Sequence, residues 1–531
     1  MEVNKTNIRK DFFKTKSNLL SLNKKDIMRW FLHYGYYGDK YKYPPIFKIS
    51  KFEEQDNTLI SLKNNKKKIY DLLNLEIKYD LNNKRIFSLI HPYIYYEIVK
   101  LIVDNWDNII EHIYNDELKI YSFSFPLPLN SIFKNIDNDS SSQIMIYNFT
   151  SVEENLTADS YNYKYILRAD ISKCYHSIYT HSIAWALEGR TAAYEDKQKL
   201  SLLGNKFDRY FQIANHFQTN GIPIGPAVSD IMAEIVLSRI DRNVSLDKKV
   251  MNINFMAARY KDDYRFLCNT EKDAIYLKEV LEDKLKEYNL WINSNKTFIS
   301  KLPNGLERKW KKLYDKNCIL PKRNLKYRDF INAYYSLIEI EEKYPGSAMI
   351  SKFLDSLIDR NEHVIFSSFN TKQKIKLINL ISLLIDNSPR ILPQILSMIE
   401  IIIKDISKES EFYNYIKDFI NSMYSNLVNN DRIDEYRLIW IYYFSKKHKL
   451  DLDFNINDNI RNFVDTNKFI KYMVDETNIF DYMNDNKINI NIYDKNGYKE
   501  FIYHHISLYH KKHHNIEEEE YDNEDNAPKL I

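Results

Sequence analysis

At 531 residues, 44% of them hydrophobic, the chain is long enough for two or three domains with well-buried cores. No run of about 18 uncharged apolar residues occurs, so no transmembrane helix is predicted. The basic N-terminus lacks the apolar segment of a secretory signal. The three cysteines fit neither a disulfide framework nor a zinc module, so a cytoplasmic protein without membrane partners is predicted. The net charge of +3 does not by itself indicate a nucleic-acid binder, although residues 63–68 and 308–328 are basic and residues 517–524 are acidic.

The first third of the chain mixes helical stretches with short segments of alternating apolar residues. This alternation predicts strands in YPPIFKI (43–49) and KRIFSLI (84–90). Only nine glycines occur in the chain, so each marks a place where the backbone needs one. Two of them lie in HYGYYGD (33–39).

A strand that ends in a carboxylate is predicted for YKYILRADI (163–171). Asp170 follows its apolar residues, and the aromatic Tyr175 comes five positions later. A carboxylate at the end of a strand is more often a cap or turn former than a ligand. This segment alone leaves both interpretations open.

The middle of the chain combines a glycine turn with a helix. Residues 219–241, TNGIPIGPAVSDIMAEIVLSRID, predict a turn bounded by Gly221 and Gly225, followed by an amphipathic helix. Glycines permit the backbone to approach a base pair or a sugar closely. A plain loop and helix N-terminus is the alternative.

A β-hairpin with two acids at its tip is predicted for residues 254–268. The runs NFMAARY and YRFLC enclose Lys261-Asp262-Asp263. Adjacent carboxylates repel each other, and a divalent cation offsets that repulsion, although a solvated turn explains the pair equally well.

If the strand of Asp170 neighbours this hairpin, the three carboxylates converge and can hold two Mg²⁺ ions about 3.5–4 Å apart. That arrangement suits nucleotidyl transfer, whose barrier is mostly charge placement.

From about residue 325 the apolar residues recur at three- and four-residue spacing. The pattern predicts consecutive helices in residues 329–344, 347–359, 371–386 and 392–406. Breaks are expected at Gly346, Asn370–Thr371 and Ser388–Pro389. The acidic end of the chain is poor in apolar residues, so we expect it to be disordered.

The segments RADISKCYHS, NGIPIGPAVSD and RYKDDYRF, in this order, resemble motifs A, B and C of reverse transcriptases. EYNLWINSNKT (287–297) resembles motif D, and NKRIFSLIHPYIYYEIVKLI (83–102) resembles the fingers segment. Within this superfamily the chain is most similar to the abortive-infection, AbiK-like group of bacterial defence enzymes. YTHSIAWAL (179–187), NGIPIG and HYGYYGD carry that likeness, which spans roughly residues 30–300.

The resemblance implies an α+β fold in which reverse-transcriptase fingers and palm, a small antiparallel sheet with helices, precede an all-α helical-repeat domain. The expected regions are an N-terminal and fingers region (1–160), a palm domain with motifs A to D (161–305), an α-helical repeat domain (306–515) and a disordered acidic tail (516–531).

The resemblance also assigns roles to individual residues. Asp170, Asp262 and Asp263 would be catalytic metal ligands for two Mg²⁺ ions, with Mn²⁺ as an alternative. Lys296 would be a proton donor to pyrophosphate, and Arg85 would contact the triphosphate. Tyr175 would be the gate beneath the sugar that selects DNA. Asn220 and Gly225 would belong to a nucleotide-binding turn. Asn220 stands where many relatives carry Gln, and Gly225-Pro226 replaces the usual Ser-Pro, which puts template handling in doubt.

AbiK-like enzymes make DNA without a template, primed by a tyrosine of their own chain. The resemblance therefore implies a template-independent, protein-primed DNA polymerase in anti-phage defence, acting on dNTPs, carrying a covalently attached single-stranded DNA product and forming a homo-oligomer. Tyr41 and Tyr43 are the priming candidates, although a structural role explains either tyrosine as well. Two alternatives stay open: an RNA-templated, retron-like reverse transcriptase, and a non-catalytic scaffold that binds nucleic acid or protein.

Overall fold

A computed structural model describes most of the chain. The described residues are 7–38, 40–54, 60–62, 70–79, 83–127, 156–322, 324–359, 361–404, 406–428, 433–450, 463, 466–475, 479–480 and 490–506. The basic run 63–68 and the acidic tail predicted for 516–531 lie outside these ranges. Within them, no helix combines the length and the apolar character needed to cross a bilayer.

Short strands form one central sheet and two separate pairs. The strands are β1 (Lys51–Phe52), β2 (Leu73–Lys78), β3 (Lys84–Leu89), β4 (Ile120–Ser122), β5 (Tyr165–Asp170), β6 (Phe255–Tyr260), β7 (Asp263–Cys268), β8 (Phe298–Lys301) and β9 (Ile490–Asn491). The central sheet has the order β4-β6-β7-β5-β8. Its pairs are antiparallel except at the β4 edge, where β4 runs parallel to β6. The predicted small antiparallel sheet is therefore confirmed, with one parallel edge strand added.

Helices surround this sheet and make up the second half of the chain. They are α1 (Asn7–Leu20), α2 (Lys24–Trp30), α3 (Pro92–Asp104), α4 (Trp106–Ile113), α5 (Cys174–Ser177), α6 (Thr180–Glu188), α7 (Arg190–Glu195), α8 (Leu203–Ala214), α9 (Ala227–Ser245), α10 (Glu271–Lys286), α11 (Lys309–Asn317), α12 (Tyr327–Lys343), α13 (Met349–Asp355), α14 (Thr371–Asn387), α15 (Leu392–Lys404), α16 (Glu411–Val428), α17 (Glu435–His448), α18 (Lys468–Asp475) and α19 (Ile502–Ile506). The α+β fold class predicted from the sequence is confirmed.

The helix α9 is the centre of the first half of the fold. It is buried on nearly every side, as expected for a helix that packs within a large core. It contacts β4 and the helices α4, α6 and α10. The segment that follows the glycine turn therefore supplies a rigid support behind the sheet.

One strand prediction is wrong. Residues 43–49 form turns instead of a strand, because Pro44 and Pro45 have no backbone N–H to donate to a neighbouring strand. The strand predicted for residues 84–90 is confirmed as β3, which pairs with β2 in an antiparallel β2–β3 hairpin.

The helix breaks predicted in the second half are confirmed. Gly346 has a φ of 74°, a conformation that favours glycine. The Asn370 side chain caps the N-terminus of α14, and Pro389 begins a 3₁₀ turn, Pro389–Ile391. An early and a late segment of the chain meet, because β1 pairs with β9.

A buried acid in the helical half predicts a pH dependence of stability. Burial raises the pKa of Asp355 to about 7, although the Gln394 amide donates a 2.6 Å hydrogen bond to it. The folded state therefore keeps a proton that the unfolded state loses above its ordinary pKa of 3.8, so the free energy of unfolding falls as the pH rises from about 4 to about 7. Asp355→Asn is expected to remove this slope and to raise stability at pH 8 by up to about 4 kcal/mol.

Urea denaturation of both proteins at pH 5 and pH 8 measures the effect. Asp386→Asn is the control, since the Asp386 side chain is 79% exposed. Equal pH slopes in wild type and Asp355→Asn would contradict the assignment.

Candidate active site

The three carboxylates predicted to act together lie at the same end of the central sheet. In the antiparallel pair β5–β7 the register sets Asp170 directly opposite Asp263. Asp262 occupies the turn between β6 and β7, and its carbonyl accepts a 3.0 Å hydrogen bond from the Ile171 N–H. The backbone thus brings the three residues to one edge, which is the convergence expected from the sequence.

Hydrogen bonds on both sides hold the turn that carries Asp262. Lys261 has a φ of 51°, a left-handed conformation that is costly for a residue with a side chain. Its N–H donates to the Ser124 hydroxyl, and its carbonyl accepts a 3.0 Å hydrogen bond from Arg259 Nη1. These bonds stabilise the strained turn.

The Arg259 side chain is fully buried and neutralised by acids of α9. Its Nη1 and Nη2 donate to the two oxygens of Glu234 at 2.8 and 3.0 Å, and its Nε donates to Asp241 Oδ2 at 2.8 Å. Tyr264 donates to the other oxygen of Asp241 at 2.8 Å. Sequence reasoning missed this network; an arginine in the apolar strand FMAARY and two acids in an apolar helix were the available signals.

The electrostatic environment of the carboxylates favours a bound cation. Burial, and then the charge of Asp170, raise the pKa of Asp262, with a further contribution from Asp263. Burial also raises the pKa of Asp263, while Arg265 and Arg308 act in the opposite direction. A divalent cation at this edge would offset the repulsion among the carboxylates.

The donor chemistry of the site fits a divalent metal ion, since carboxylate oxygens are the ligands that Mg²⁺ prefers. Among the described residues, no group of three or more ligand side chains is already arranged to hold an ion. Cations engage two of the carboxylates instead: Lys296 Nζ lies 3.3 Å from Asp170 Oδ2, and Arg265 Nη2 lies 3.7 Å from Asp263 Oδ2. A metal ion would therefore compete with Lys296 for Asp170.

Backbone hydrogen bonds tie the segment that carries Lys296 to the end of β5. The Asn293 N–H donates to the Asp170 carbonyl at 2.7 Å, and the Ser172 N–H donates to the Trp291 carbonyl at 2.8 Å. The Lys296 side chain is 64% exposed. It can therefore reach a substrate beside Asp170 from the solvent side.

The Tyr175 ring lies between the turn before α9 and the hairpin tip. The backbone carbonyl of Tyr175 accepts a 2.9 Å hydrogen bond from the Ile222 N–H. Its hydroxyl donates to Asp230 Oδ1 at 2.5 Å, and Lys261 Nζ donates to the same oxygen at 3.3 Å. Burial, and then the Asp230 charge, raise the pKa of Tyr175. Sequence reasoning missed Asp230 and Lys261 as partners of this tyrosine, because nothing local indicates the contact.

Asn220 and Gly225 bracket the turn that precedes α9. Asn220 is exposed and pairs with Tyr179 in an isolated antiparallel bridge. Gly225 has a φ of 124°, which favours glycine. Between them, the Ile224 carbonyl accepts a 2.9 Å hydrogen bond from the Ser88 N–H. The turn therefore lies against strand β3.

Arg85 is exposed on β3, opposite Ile77 of β2. Its guanidinium carbon lies 4.8 Å from the centroid of the Tyr79 ring. Its charge also acts on Asp262, where it opposes the increase in pKa that burial and Asp170 cause. Arg85 is therefore near enough to the carboxylate edge for its charge to act on Asp262.

The two priming candidates differ in exposure. Tyr43 is 1% exposed, and its ring packs against those of Tyr37, Phe47 and Phe469. This burial argues against Tyr43 as a primer. Tyr41 is half-buried, and its hydroxyl lies 3.0 Å from Lys42 Nζ.

A family model supports the sequence-based resemblance at the level of the domain. The model described as reverse transcriptase (RNA-dependent DNA polymerase) matches residues 125–327. That range contains β5, α9 and the β6–β7 hairpin. A search among curated proteins finds none that matches the sequence.

Solved structures to which the chain is similar include telomerases of two Candida species. The telomerase of Candida albicans, in complex with a fragment of telomeric RNA, is 13% identical over 57% of this chain and 53% of that chain, with a TM-score of 0.22. The apo telomerase of Candida tropicalis is 12% identical over 76% of this chain and 70% of that chain, with a TM-score of 0.30. The chain spans about half of the C. albicans protein to which it is similar.

Proposed function

We propose that the chain is a DNA polymerase with Asp170, Asp262 and Asp263 as its catalytic metal ligands, and that residues 125–327, which match the reverse transcriptase model, form its polymerase domain. The observation that carries the proposal is the strand register that sets Asp170 opposite Asp263, next to the Asp262 turn. A carboxylate edge of this kind suits nucleotidyl transfer, because that reaction depends mainly on charge placement.

Two Mg²⁺ ions, or Mn²⁺ as an alternative, would supply activation of the attacking hydroxyl and neutralisation of the leaving group when bound. The protein supplies the groups around them. Lys296, 3.3 Å from Asp170, would donate a proton to the leaving pyrophosphate. The guanidinium of Arg85 suits a contact with the triphosphate. Asn220 and Gly225 would lie at the two ends of the turn beneath the nascent base pair.

Tyr175 would lie beneath the sugar and exclude a 2′-hydroxyl. Its hydrogen bond to Asp230 and the contact between Asp230 and Lys261 hold the ring in one orientation. Tyr175→Ala is therefore expected to raise ribonucleotide incorporation, relative to deoxyribonucleotide incorporation, by roughly 10- to 100-fold.

Tyr175→Phe is the matched control, because it keeps the ring and loses only the hydroxyl bonded to Asp230. Most of the discrimination should survive in this variant. The ratio of kcat/KM for dNTP and rNTP measures both effects. An unchanged ratio in Tyr175→Ala would remove Tyr175 from sugar selection.

The finer part of the proposal is synthesis without a template, primed by a tyrosine of the chain. Tyr41 is the better candidate for the primer, since it is half-buried whereas Tyr43 is buried, and its hydroxyl lies 3.0 Å from Lys42 Nζ. A role in anti-phage defence, a covalently attached DNA product and a homo-oligomer rest on the resemblance to AbiK-like enzymes and belong to the same proposal.

The test is incubation of the purified chain with dNTPs and Mg²⁺ in the absence of nucleic acid. The expected product is DNA that remains attached to the protein after denaturation, and that is absent from Tyr41→Phe. Tyr161→Phe is the control, since Tyr161 is 82% exposed. If wild type extends an added primer on a template but attaches no DNA to itself, priming by tyrosine is wrong and the polymerase proposal stands.

A templated, retron-like reverse transcriptase is the second candidate, because the matching family is described as RNA-dependent DNA polymerases. Sequencing of the product distinguishes the two. A sequence complementary to a co-purifying RNA supports templated synthesis, and a random or homopolymeric sequence supports untemplated synthesis. A non-catalytic scaffold would incorporate nucleotides under neither condition.

A further inference from the structure

We propose that Arg85, Tyr79 and Arg390 form a phosphate-binding stack, in which the helical half of the chain completes the nucleic-acid site. The ligand is a phosphate group, carried by a nucleic-acid strand or by the incoming triphosphate. The inference rests on the proposed polymerase function and extends it, because it assigns a binding residue to a region outside the reverse transcriptase domain.

Two guanidiniums share the Tyr79 ring. The guanidinium carbons of Arg85 and Arg390 each lie 4.8 Å from its centroid. Arg85 belongs to β3, whereas Arg390 belongs to the 3₁₀ turn Pro389–Ile391 between α14 and α15. Cation–π contacts thus hold two positive charges around one tyrosine ring, at the junction of the β2–β3 hairpin and the helical half.

Neither guanidinium has a carboxylate partner among the described residues. Other cations near this hairpin do have one: Lys84 Nζ lies 2.6 Å from Glu76, and Lys78 Nζ lies 3.7 Å from Asp434. Arg390 instead donates to the Ser347 carbonyl at 2.9 Å and to the Ser388 hydroxyl at 3.3 Å. Two like charges on the same ring repel each other, and a bound anion would offset that repulsion.

A third cation borders the stack. Lys42 is 6% exposed, and its Nζ lies 2.8 Å from the Tyr79 hydroxyl. The same Nζ lies 4.3 Å from the centroid of the Phe87 ring. The positive charge at this junction is therefore built from three separate parts of the chain.

The position of the stack identifies phosphate as the ligand. Arg85 is exposed on β3, and Ser88 of the same strand donates a 2.9 Å hydrogen bond to the Ile224 carbonyl, so the stack lies on the strand that borders the turn before α9, where a triphosphate or a strand would bind. Guanidinium groups match phosphate oxygens through paired hydrogen bonds. Arg390 is half-buried, which leaves part of its guanidinium accessible to such a ligand.

Arg390→Met tests the stack in the full-length chain, because methionine keeps apolar contact with Tyr79 and removes the charge. The probe is a fluorescein-labelled single-stranded oligothymidylate, whose binding is followed by anisotropy at several salt concentrations. We expect roughly tenfold weaker binding and a salt slope smaller by about one. Arg390→Lys should restore part of the slope, since it restores the charge.

Lys404→Met is the matched control. Lys404 is an exposed cation of the same helical half and lies 5.4 Å from the centroid of the Phe501 ring. This variant should bind the oligonucleotide like wild type. Thermal unfolding establishes that each variant is folded, and Arg85→Met repeats the test without altering the helical half.

The KM for dTTP distinguishes the two sources of phosphate. Weaker oligonucleotide binding with an unchanged KM assigns the stack to a strand, and the opposite result assigns it to the triphosphate. If both quantities match those of Lys404→Met, the phosphate stack is overturned. Oligonucleotide binding is also compared in the Asp262→Asn background, where no catalysis is needed. The phosphate stack can therefore be confirmed or overturned even if the polymerase proposal fails.

Discussion

Asp262→Asn is expected to lower the rate of nucleotide incorporation by about 10³-fold or more. Asp262 sits in the turn beside the paired Asp170 and Asp263, and an amide cannot replace the charge that would hold a divalent cation. The side chain is of nearly the same size, so the loss should come from chemistry and not from unfolding. Single-nucleotide incorporation with Mg²⁺ measures the rate.

Asp283→Asn is the control for this prediction. The Asp283 side chain is 73% exposed and contacts Lys286 at 3.3 Å, and Asp283 has no proposed role in the reaction. It should retain wild-type activity. A rate for Asp262→Asn within tenfold of wild type would remove Asp262 from the metal site and, with it, the main support for the proposed function.

Arg259→Met is expected to lower the free energy of unfolding by about 3–5 kcal/mol. The substitution leaves Glu234 and Asp241 buried without their shared cation. Burial already raises the pKa of Asp241 to about 6 with Arg259 present, and the hydrogen bond from the neutral Tyr264 hydroxyl does not replace the lost positive charge. The variant also removes the hydrogen bond to the Lys261 carbonyl, and activity should fall because the Asp262 turn loses a support.

Chemical denaturation followed by circular dichroism measures the loss of stability. Arg242→Met is the control, because the Arg242–Glu117 ion pair lies on the surface and such pairs contribute about 1 kcal/mol or less. Adding Glu234→Gln and Asp241→Asn to Arg259→Met should recover part of the stability, since no buried charge then remains unpaired. Equal stability of Arg259→Met and Arg242→Met would show that the network contributes little.

Local patterns in the sequence predicted the elements of the site correctly. Apolar alternation identified β5 and the β6–β7 hairpin, and helical spacing identified α9 and the helices after residue 325. The failure at residues 43–49 has a local cause as well, because two prolines interrupt an otherwise strand-like run. The parallel edge strand β4 escaped notice, since its partner β6 lies far along the chain.

The partners of the site residues were not predictable in the same way. Asp230 and Lys261 contact Tyr175 only because α9 packs behind the hairpin tip. Arg390 reaches Tyr79 because the helical half folds back onto the β2–β3 hairpin. Tyr41 and Tyr43 are close in sequence and equivalent in type, yet the fold buries one much more than the other.

The sequence by itself determined the secondary structure around the carboxylates and nominated Asp170, Asp262 and Asp263 as a set. Only the tertiary structure decided which charges surround that set, which of two tyrosines is accessible, and which distant arginine contacts the same tyrosine ring as Arg85. The physical reason is that hydrogen-bond periodicity acts over a few residues, whereas ion pairing and burial depend on segments brought together by packing.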